Sequence, residues 1–133
     1  MIILTEVEIA KTIRQCMPSK IAVAFLGADW KRFIPDTNRL DYVVLSTELG
    51  TNPSAVRALA AEIGWERVLL LDRLHAKVYL SERGAVVGSA NLTKNGLSGS
   101  ELIELCVSWS SRAELAELEC ILDGWRASAQ LQY

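Results

Sequence analysis

The sequence predicts an α/β protein whose mixed central β-sheet is flanked by helices, arranged as a single domain over residues 1–133. This length is typical of one domain and is sufficient to bury a core. Hydrophobic residues make up 50% of the chain and charged residues 23%, which is a globular composition. Short apolar runs alternate with segments that carry helix-capping signals, as in α/β folds. We find no internal repeat and no linker.

The first half of the chain is predicted to begin with a helix. Thr5 and Glu8 have the spacing of a capping box, and Pro18 ends the apolar stripe that follows. Residues 21–26 and 42–45 are continuous apolar runs, which predict two strands buried on both faces. The segment between these strands is polar and irregular.

The second half alternates strands and helices more clearly. Asn52-Pro53 has the pattern of an N-cap followed by a first helical residue, and Gly64 ends the helix. Residues 83–84 predict a turn, and a second capping box at residues 111–114 opens a closing amphipathic helix. The predicted strands of this half are residues 68–71, 74–80, 85–87 and 102–109.

Composition argues against several classes of protein. The net charge of −2 lacks the basic excess of most nucleic-acid-binding proteins, although a local patch is compatible with it. The chain has neither a run of about 18 apolar residues nor the pattern of a signal peptide, so we expect no membrane association. Cys16, Cys106 and Cys120 form no CxxC pair. We expect them to be buried, reduced thiols, which favours the cytoplasm.

Four residues with chemical potential stand between positions 75 and 91. His75 is the only histidine, and Lys77 follows it at the spacing that places two side chains on one face of a strand. The predicted turn at residues 83–84 lets a hairpin return Ser89 and Asn91 beside them. A nucleophile, a cation and two hydrogen-bond donors at one place are what an enzyme needs to hold and attack a phosphate.

These residues resemble the phospholipase D superfamily signature, His-x-Lys-x4-Asp followed by Gly-Ser-x-Asn, with Glu82 in place of the aspartate. The stretch from Gly88 to Leu97, followed by a strand carrying Glu104, is similar to the nuclease and restriction-endonuclease branch. That family builds one active site from two such motifs, and this chain is a phospholipase D-like half with one. The resemblance therefore implies a two-fold symmetric homodimer. We expect apolar surface near the loop from Asn91 to Ser100, or one of the tryptophans, to hold it together, and the sequence does not choose between them.

The resemblance also implies a role for each residue. His75 would attack phosphorus and form a phosphohistidine, while the partner's His75 would protonate the leaving alcohol. Lys77, Asn91 and Ser89 would hold the nonbridging oxygens, and Glu104 would orient the imidazole. No metal ion and no cofactor are expected. The remaining candidates are three substrate-binding residues, Arg73, Thr93 and Lys94, and two structural ones, Glu82 and Gly88.

The function that this predicts is metal-independent phosphodiester cleavage in nucleic acid, with DNA favoured and restriction or defence as the setting. Phospholipid hydrolysis is a second candidate, but the expected lack of a membrane segment counts against it. A third is a non-catalytic subunit that binds nucleic acid or a partner, which the acidic balance allows. The retained His75 and Lys77 count against that third candidate. The sequence leaves open whether a larger partner subunit supplies targeting.

Overall fold

A computed structural model describes residues 1–48, 50–99 and 101–132, so that Ser100 of the loop named above lies outside it. The described residues form seven strands and five α-helices. Their bounds are β1 Ile2–Thr5, α1 Val7–Cys16, β2 Lys20–Val23, α2 Trp30–Phe33, β3 Tyr42–Ser46, α3 Pro53–Ile63, β4 Val68–Leu71, β5 Val78–Leu80, β6 Ala85–Gly88, α4 Lys94–Leu97, β7 Leu105–Trp109 and α5 Arg112–Gln132.

All seven strands belong to one sheet in the order β1-β7-β6-β5-β2-β3-β4. The strands β2, β3 and β4 are parallel, whereas the other neighbours pair antiparallel. This arrangement confirms the predicted mixed sheet. The switch between the two halves lies at β2, which is parallel to β3 on one side and antiparallel to β5 on the other.

The sheet is buried on both faces by helices. One hydrophobic cluster joins it to α1 and α3 through residues such as Ile13 and Leu59. A second cluster joins the opposite face to α5 through Leu122. Adjacent residues of β5 alternate between the two clusters, Val78 facing α5 and Tyr79 facing the other layer. The period of two in a strand is therefore used to fill two cores at once.

An ionic cluster ties α5 to the end of the sheet where β2 and β3 begin. Asp123 accepts hydrogen bonds from the Lys20 ammonium at 3.0 Å and from the Tyr42 hydroxyl at 2.7 Å. The Arg126 guanidinium lies 4.9 Å from the centre of the Tyr42 ring. Lys20 also approaches Glu119 to 3.3 Å. Because these partners come from two strands and one helix, the cluster fixes the position of α5.

The structure corrects the predicted start of the chain. Residues 2–5 form an edge strand, and α1 follows Glu6, which has a left-handed φ of 52° and makes no capping hydrogen bond through its side chain. The predicted capping box at Thr5 and Glu8 is therefore wrong. Thr5 instead pairs with Leu105 of β7, a tertiary contact that local sequence does not reveal.

Two other predicted boundaries differ in ways that affect the site. The strand predicted over 74–80 begins at Val78, so that His75 and Lys77 lie in the extended segment that leads into it. The strand predicted over 102–109 begins at Leu105.

Cys120 is exposed on α5, contrary to the expectation of three buried thiols. Within the described residues, no helix is both long enough and apolar enough to cross a membrane.

Candidate active site

The residues singled out in the sequence gather where the parallel strands end. β2 and β4 run into the loops that begin at residues 24 and 72, while β6 ends at Gly88, just before Ser89. Parallel β2 and β4 finish at the same edge, and antiparallel pairing of β5 with β6 returns residues 88–93 to it. In open α/β sheets, ligands bind at the carboxyl ends of the strands beside such a switch in strand order.

His75 and Lys77 are in direct contact. The Lys77 Nζ atom lies 3.2 Å from His75 Nε2. An ammonium group donates and never accepts, so a hydrogen bond between the two groups would use the Nε2 lone pair as its acceptor. The Lys77 side chain is buried, whereas His75 is exposed. The pair thus places an exposed imidazole against a buried ammonium group.

Gly88 brings the second part of the motif beside the first. Its N–H donates a 3.2 Å hydrogen bond to the Lys77 carbonyl, which extends the pairing of β5 and β6 by one step. A Cβ atom on Gly88 would lie 2.4 Å from the Leu105 carbonyl oxygen and 2.5 Å from Cys106 Cα. Only glycine therefore allows β6 and β7 to approach this closely. Gly88 thus has a structural role next to the site.

Ser89 and Glu104 are bonded to each other. The Ser89 hydroxyl donates to the Glu104 carboxylate and accepts from the Leu105 N–H at 3.0 Å. The resemblance implied that Ser89 would hold phosphate and that Glu104 would orient His75. In the described contacts, His75 is instead bonded to Lys77, and Glu104 to Ser89. Ser89 is exposed at the edge of the site, and Glu104 is partly exposed.

Asn91 is held at the end of β2 by its side-chain oxygen. Asn91 Oδ1 accepts a 3.0 Å hydrogen bond from the Phe25 N–H, and the Gly27 N–H donates to the Leu92 carbonyl at 2.9 Å. Below this loop, the buried Tyr79 hydroxyl donates to the Ala90 carbonyl at 2.8 Å. Burial raises the pKa of Tyr79 well above its ordinary value, which keeps the hydroxyl a donor.

The other predicted residues are more dispersed. Thr93 caps α4, because its hydroxyl accepts the Gly96 N–H at 2.9 Å, and Lys94 is exposed on the same short helix. Arg73 is exposed, with a left-handed φ of 63°, two residues before His75. Glu82 is exposed in the turn between β5 and β6, at the end of the hairpin opposite Lys77 and Gly88. Glu82 is therefore a turn residue remote from the site.

Three residues with structural roles here were missed in the sequence. Phe25 contributes only its backbone, and Trp125 lines a cleft beside His75 from α5. The sequence around each of these two residues therefore does not indicate its role. Tyr79 does have a signal in the sequence, because positions 75, 77 and 79 would share one face of the strand predicted there.

Among residues 1–48, 50–99 and 101–132, we find no cluster of three or more His, Cys, Asp or Glu side chains that could hold a metal ion.

Comparison with known proteins rests on structure. No family model and no curated protein sequence matches the chain. NucT from Helicobacter pylori superposes with a TM-score of 0.66 at 13% identity, covering 95% of this chain and 94% of its own. Nuc from Salmonella typhimurium, a phospholipase D family member, gives 0.68 at 15% identity with the same coverage.

A third similar structure is larger than this chain. TrmBL2, an archaeal chromatin protein described as having a novel mode of DNA binding, superposes with a TM-score of 0.57 at 11% identity. The match covers 96% of this chain but 52% of TrmBL2. The matches to NucT and Nuc extend over nearly the whole length of both structures. The chain therefore has the same fold as NucT and as Nuc, the phospholipase D family member.

Proposed function

We propose that this chain is a metal-independent phosphodiesterase of the phospholipase D type that cleaves nucleic acid, with DNA as the favoured substrate. The observation that carries the proposal is the 3.2 Å contact between Lys77 Nζ and His75 Nε2. It supports an imidazole held next to a cation that attracts the anionic phosphate, and a phosphate that takes over the Lys77 ammonium would free the Nε2 lone pair for attack. Restriction or defence in the cytoplasm is the proposed setting.

The reaction proceeds in two displacements. In the first, His75 Nε2 forms a bond to phosphorus as the bond from phosphorus to the leaving oxygen breaks, and the partner's protonated His75 gives that oxygen its proton. In the second, water attacks phosphorus, the bond to Nε2 breaks, and the partner's imidazole takes the proton from water. Lys77 and the Asn91 amide stabilise the negative charge on the nonbridging oxygens during both steps.

The mechanism requires two imidazoles, and the chain contributes one. A two-fold axis through the site supplies the second and brings together two copies of Lys77, Ser89 and Asn91. The resulting site is positively charged although the chain is acidic. We therefore propose a homodimer as the active species.

An exposed apolar surface beside the site supports this assembly. Leu102, Ile103 and Leu105, which we call the apolar lip, flank Glu104 at the start of β7. Ile103 is fully exposed, and Leu102 and Leu105 are each 56% exposed. Contiguous exposed apolar side chains next to polar groups are typical of protein interfaces. The lip lies next to the loop that we expected to hold the dimer together.

Nucleic acid is preferred over phospholipid as the substrate. The resemblance to the nuclease branch supports this choice, and so does the structural similarity to TrmBL2, which is described as binding DNA. Exposed cations near the site, Arg73 and Lys94, can contact further phosphates of a polymer.

The proposal is tested by incubating the protein with plasmid DNA, RNA and phospholipid vesicles in the presence of EDTA. We expect cleavage of nucleic acid by the wild type, none by His75→Ala, and wild-type activity in Arg83→Ala, whose side chain lies in the remote hairpin turn. Trapped enzyme should carry one nucleic-acid fragment joined to His75 through the phosphate that was attacked. Headgroup release without cleavage of nucleic acid would favour the lipase alternative, and activity that returns only with added Mg²⁺ or Mn²⁺ would reject the mechanism.

A further inference from the structure

A cleft opens on one side of His75, apart from the residues that contact phosphate. It has a volume of about 440 Å³, within the range of small-ligand sites. Its lining comprises Leu71, Asp72, Arg73, Leu74, His75, Ala76 and Trp125. His75 therefore belongs both to this cleft and to the contact with Lys77. A group bound in the cleft would be adjacent to the reacting phosphate.

The lining of the cleft is mixed, and its apolar part comes from one aromatic and several aliphatic side chains. Trp125 packs against the hydrophobic cluster beneath α5, yet its ring is only partly buried and lines the opening. Leu74, which is buried, and Leu71 complete an apolar surface. This surface offers a flat ring the two contacts it needs, a π-face and aliphatic groups at its edge.

The rim of the cleft carries charge. Arg73 is exposed there, and its left-handed backbone reverses the chain between the end of β4 and His75. Asp72, the neighbouring acid, accepts a 2.7 Å hydrogen bond from the Thr47 hydroxyl. An exposed guanidinium above an apolar wall matches a nucleotide, in which a flat base is joined to an anionic phosphate.

We propose that this cleft binds the nucleobase adjacent to the scissile phosphate, with the base stacked on the indole of Trp125 and Arg73 paired with the flanking phosphate. The inference rests on the proposed nuclease function and adds a specificity-determining subsite to it. Stacking on an aromatic ring tolerates every base because each base has a π-face. The subsite therefore favours nucleic acid over other phosphodiesters without selecting a sequence.

The test compares single-stranded oligonucleotides that contain or lack the base next to the cleaved bond, with KM and kcat measured separately. The wild type should show a KM about tenfold higher for the abasic substrate, a size consistent with the loss of one stacked base. Trp125→Leu, which keeps an apolar side chain, should raise KM about tenfold for the intact substrate and leave it unchanged for the abasic one. Trp125→Phe should remain close to the wild type.

Trp65→Leu is the matched control, because Trp65 is 62% exposed and lies in a different cavity. Melting temperatures identify any variant that fails to fold, and the abasic comparison on the wild type needs no variant. Equal KM for both substrates in the wild type, or an unchanged KM in folded Trp125→Leu, would overturn the subsite and leave the nuclease assignment standing. A wild type that cleaves neither substrate would overturn both.

Discussion

The backbone N–H of Phe25 donates a 3.0 Å hydrogen bond to Asn91 Oδ1, which joins the loop after β2 to the loop after β6. Because the amide oxygen is occupied by this contact, the Nδ2 hydrogens are the part of the side chain that can donate to a substrate. In the Asn91 side chain, Oδ1 therefore has a structural role and Nδ2 a functional one. Substitution can separate the two roles.

Asn91→Asp should keep the loop and lose the reaction. The remaining carboxylate oxygen can accept the Phe25 N–H, but the donor is replaced by a negative charge that repels phosphate. We expect kcat to fall about 100-fold or more, as for the loss of a transition-state donor, with little change in melting temperature. Asn91→Ala should lose both activity and stability. Equal losses of stability in the two variants would contradict this division.

Tyr79→Phe should lower both stability and turnover. It removes the 2.8 Å hydrogen bond to the Ala90 carbonyl and leaves a buried acceptor without its donor, at a cost of about 1–3 kcal/mol in the free energy of unfolding. The loop that carries Asn91 loses its anchor, so kcat should also fall. Tyr42→Phe is the control, because its hydroxyl bonds Asp123 at the other end of the sheet. Urea denaturation and oligonucleotide cleavage should show lower stability but wild-type kcat for that variant.

Gly88→Ala should be among the more damaging single-methyl additions. The new Cβ would lie 2.4 Å from the Leu105 carbonyl oxygen and 2.5 Å from Cys106 Cα, and both of these atoms belong to backbone. Overpacking of this kind costs about 1–3 kcal/mol, and it would push β7 and Glu104 away from the hairpin. Gly124→Ala in α5 meets nothing within 4 Å and should instead stabilise the fold by about 0.5–1 kcal/mol. Thermal unfolding of both variants would reveal the opposite signs.

The ionic cluster beneath α5 predicts a pH dependence of stability. Partial burial raises the pKa of Asp123, but hydrogen bonds from Tyr42 and Lys20 outweigh that effect and lower the pKa below its ordinary value. The carboxylate therefore stabilises the folded state above the unfolded-state pKa of about 3.9, and this contribution disappears as the pH falls through the folded-state value.

Asp123→Asn should consequently cost about 1 kcal/mol at neutral pH, a value reduced for partial exposure, and nothing in strong acid. Unfolding curves collected between neutral pH and pH 2 measure the difference. The exposed Asp29, which makes no capping contact through its side chain, provides the control substitution Asp29→Asn. A constant difference between Asp123→Asn and the wild type across this range would contradict the assignment.

Shared active sites predict a specific result for mixed subunits. If wild-type and His75→Ala chains are mixed in equal amounts and reassorted, about a quarter of the dimers contain two wild-type chains, so activity should fall to about a quarter rather than a half.

Ile103→Asp should weaken dimerisation in sedimentation and reduce activity in parallel. Leu131→Asp places the same charge at another exposed aliphatic residue and should do neither. A fully active monomer would refute the shared site.

Elements with strong local signals were predicted almost to the residue. The helix predicted from Asn52-Pro53 to Gly64 is α3, and the Asn52 side chain accepts the Ala55 N–H as an N-cap should. The apolar run that begins at Tyr42 is β3. In contrast, β1 has no local signal, because it forms by pairing with β7 far along the chain.

The site likewise contains contacts that the sequence predicted and contacts that it did not. Motif spacing was sufficient to place Lys77 against His75, because both lie on one extended segment. The partner of Glu104 was not predictable, because the loop before β7 brings its carboxylate to Ser89 only in the folded sheet. Trp125 lies 50 positions beyond His75 and reaches the cleft only because α5 packs across the strands.

The pairing of Thr5 with Leu105 has a consequence for how the protein is made. β1 leaves the ribosome before the other strands described here, and its partner is synthesised one hundred positions later. Contacts between such distant segments form late, because the chain entropy of closing the intervening loop opposes them. We expect β1 to stay unpaired until β7 has emerged. The arrival of β7 then anchors the first strand and brings Glu104 to Ser89 in the same step.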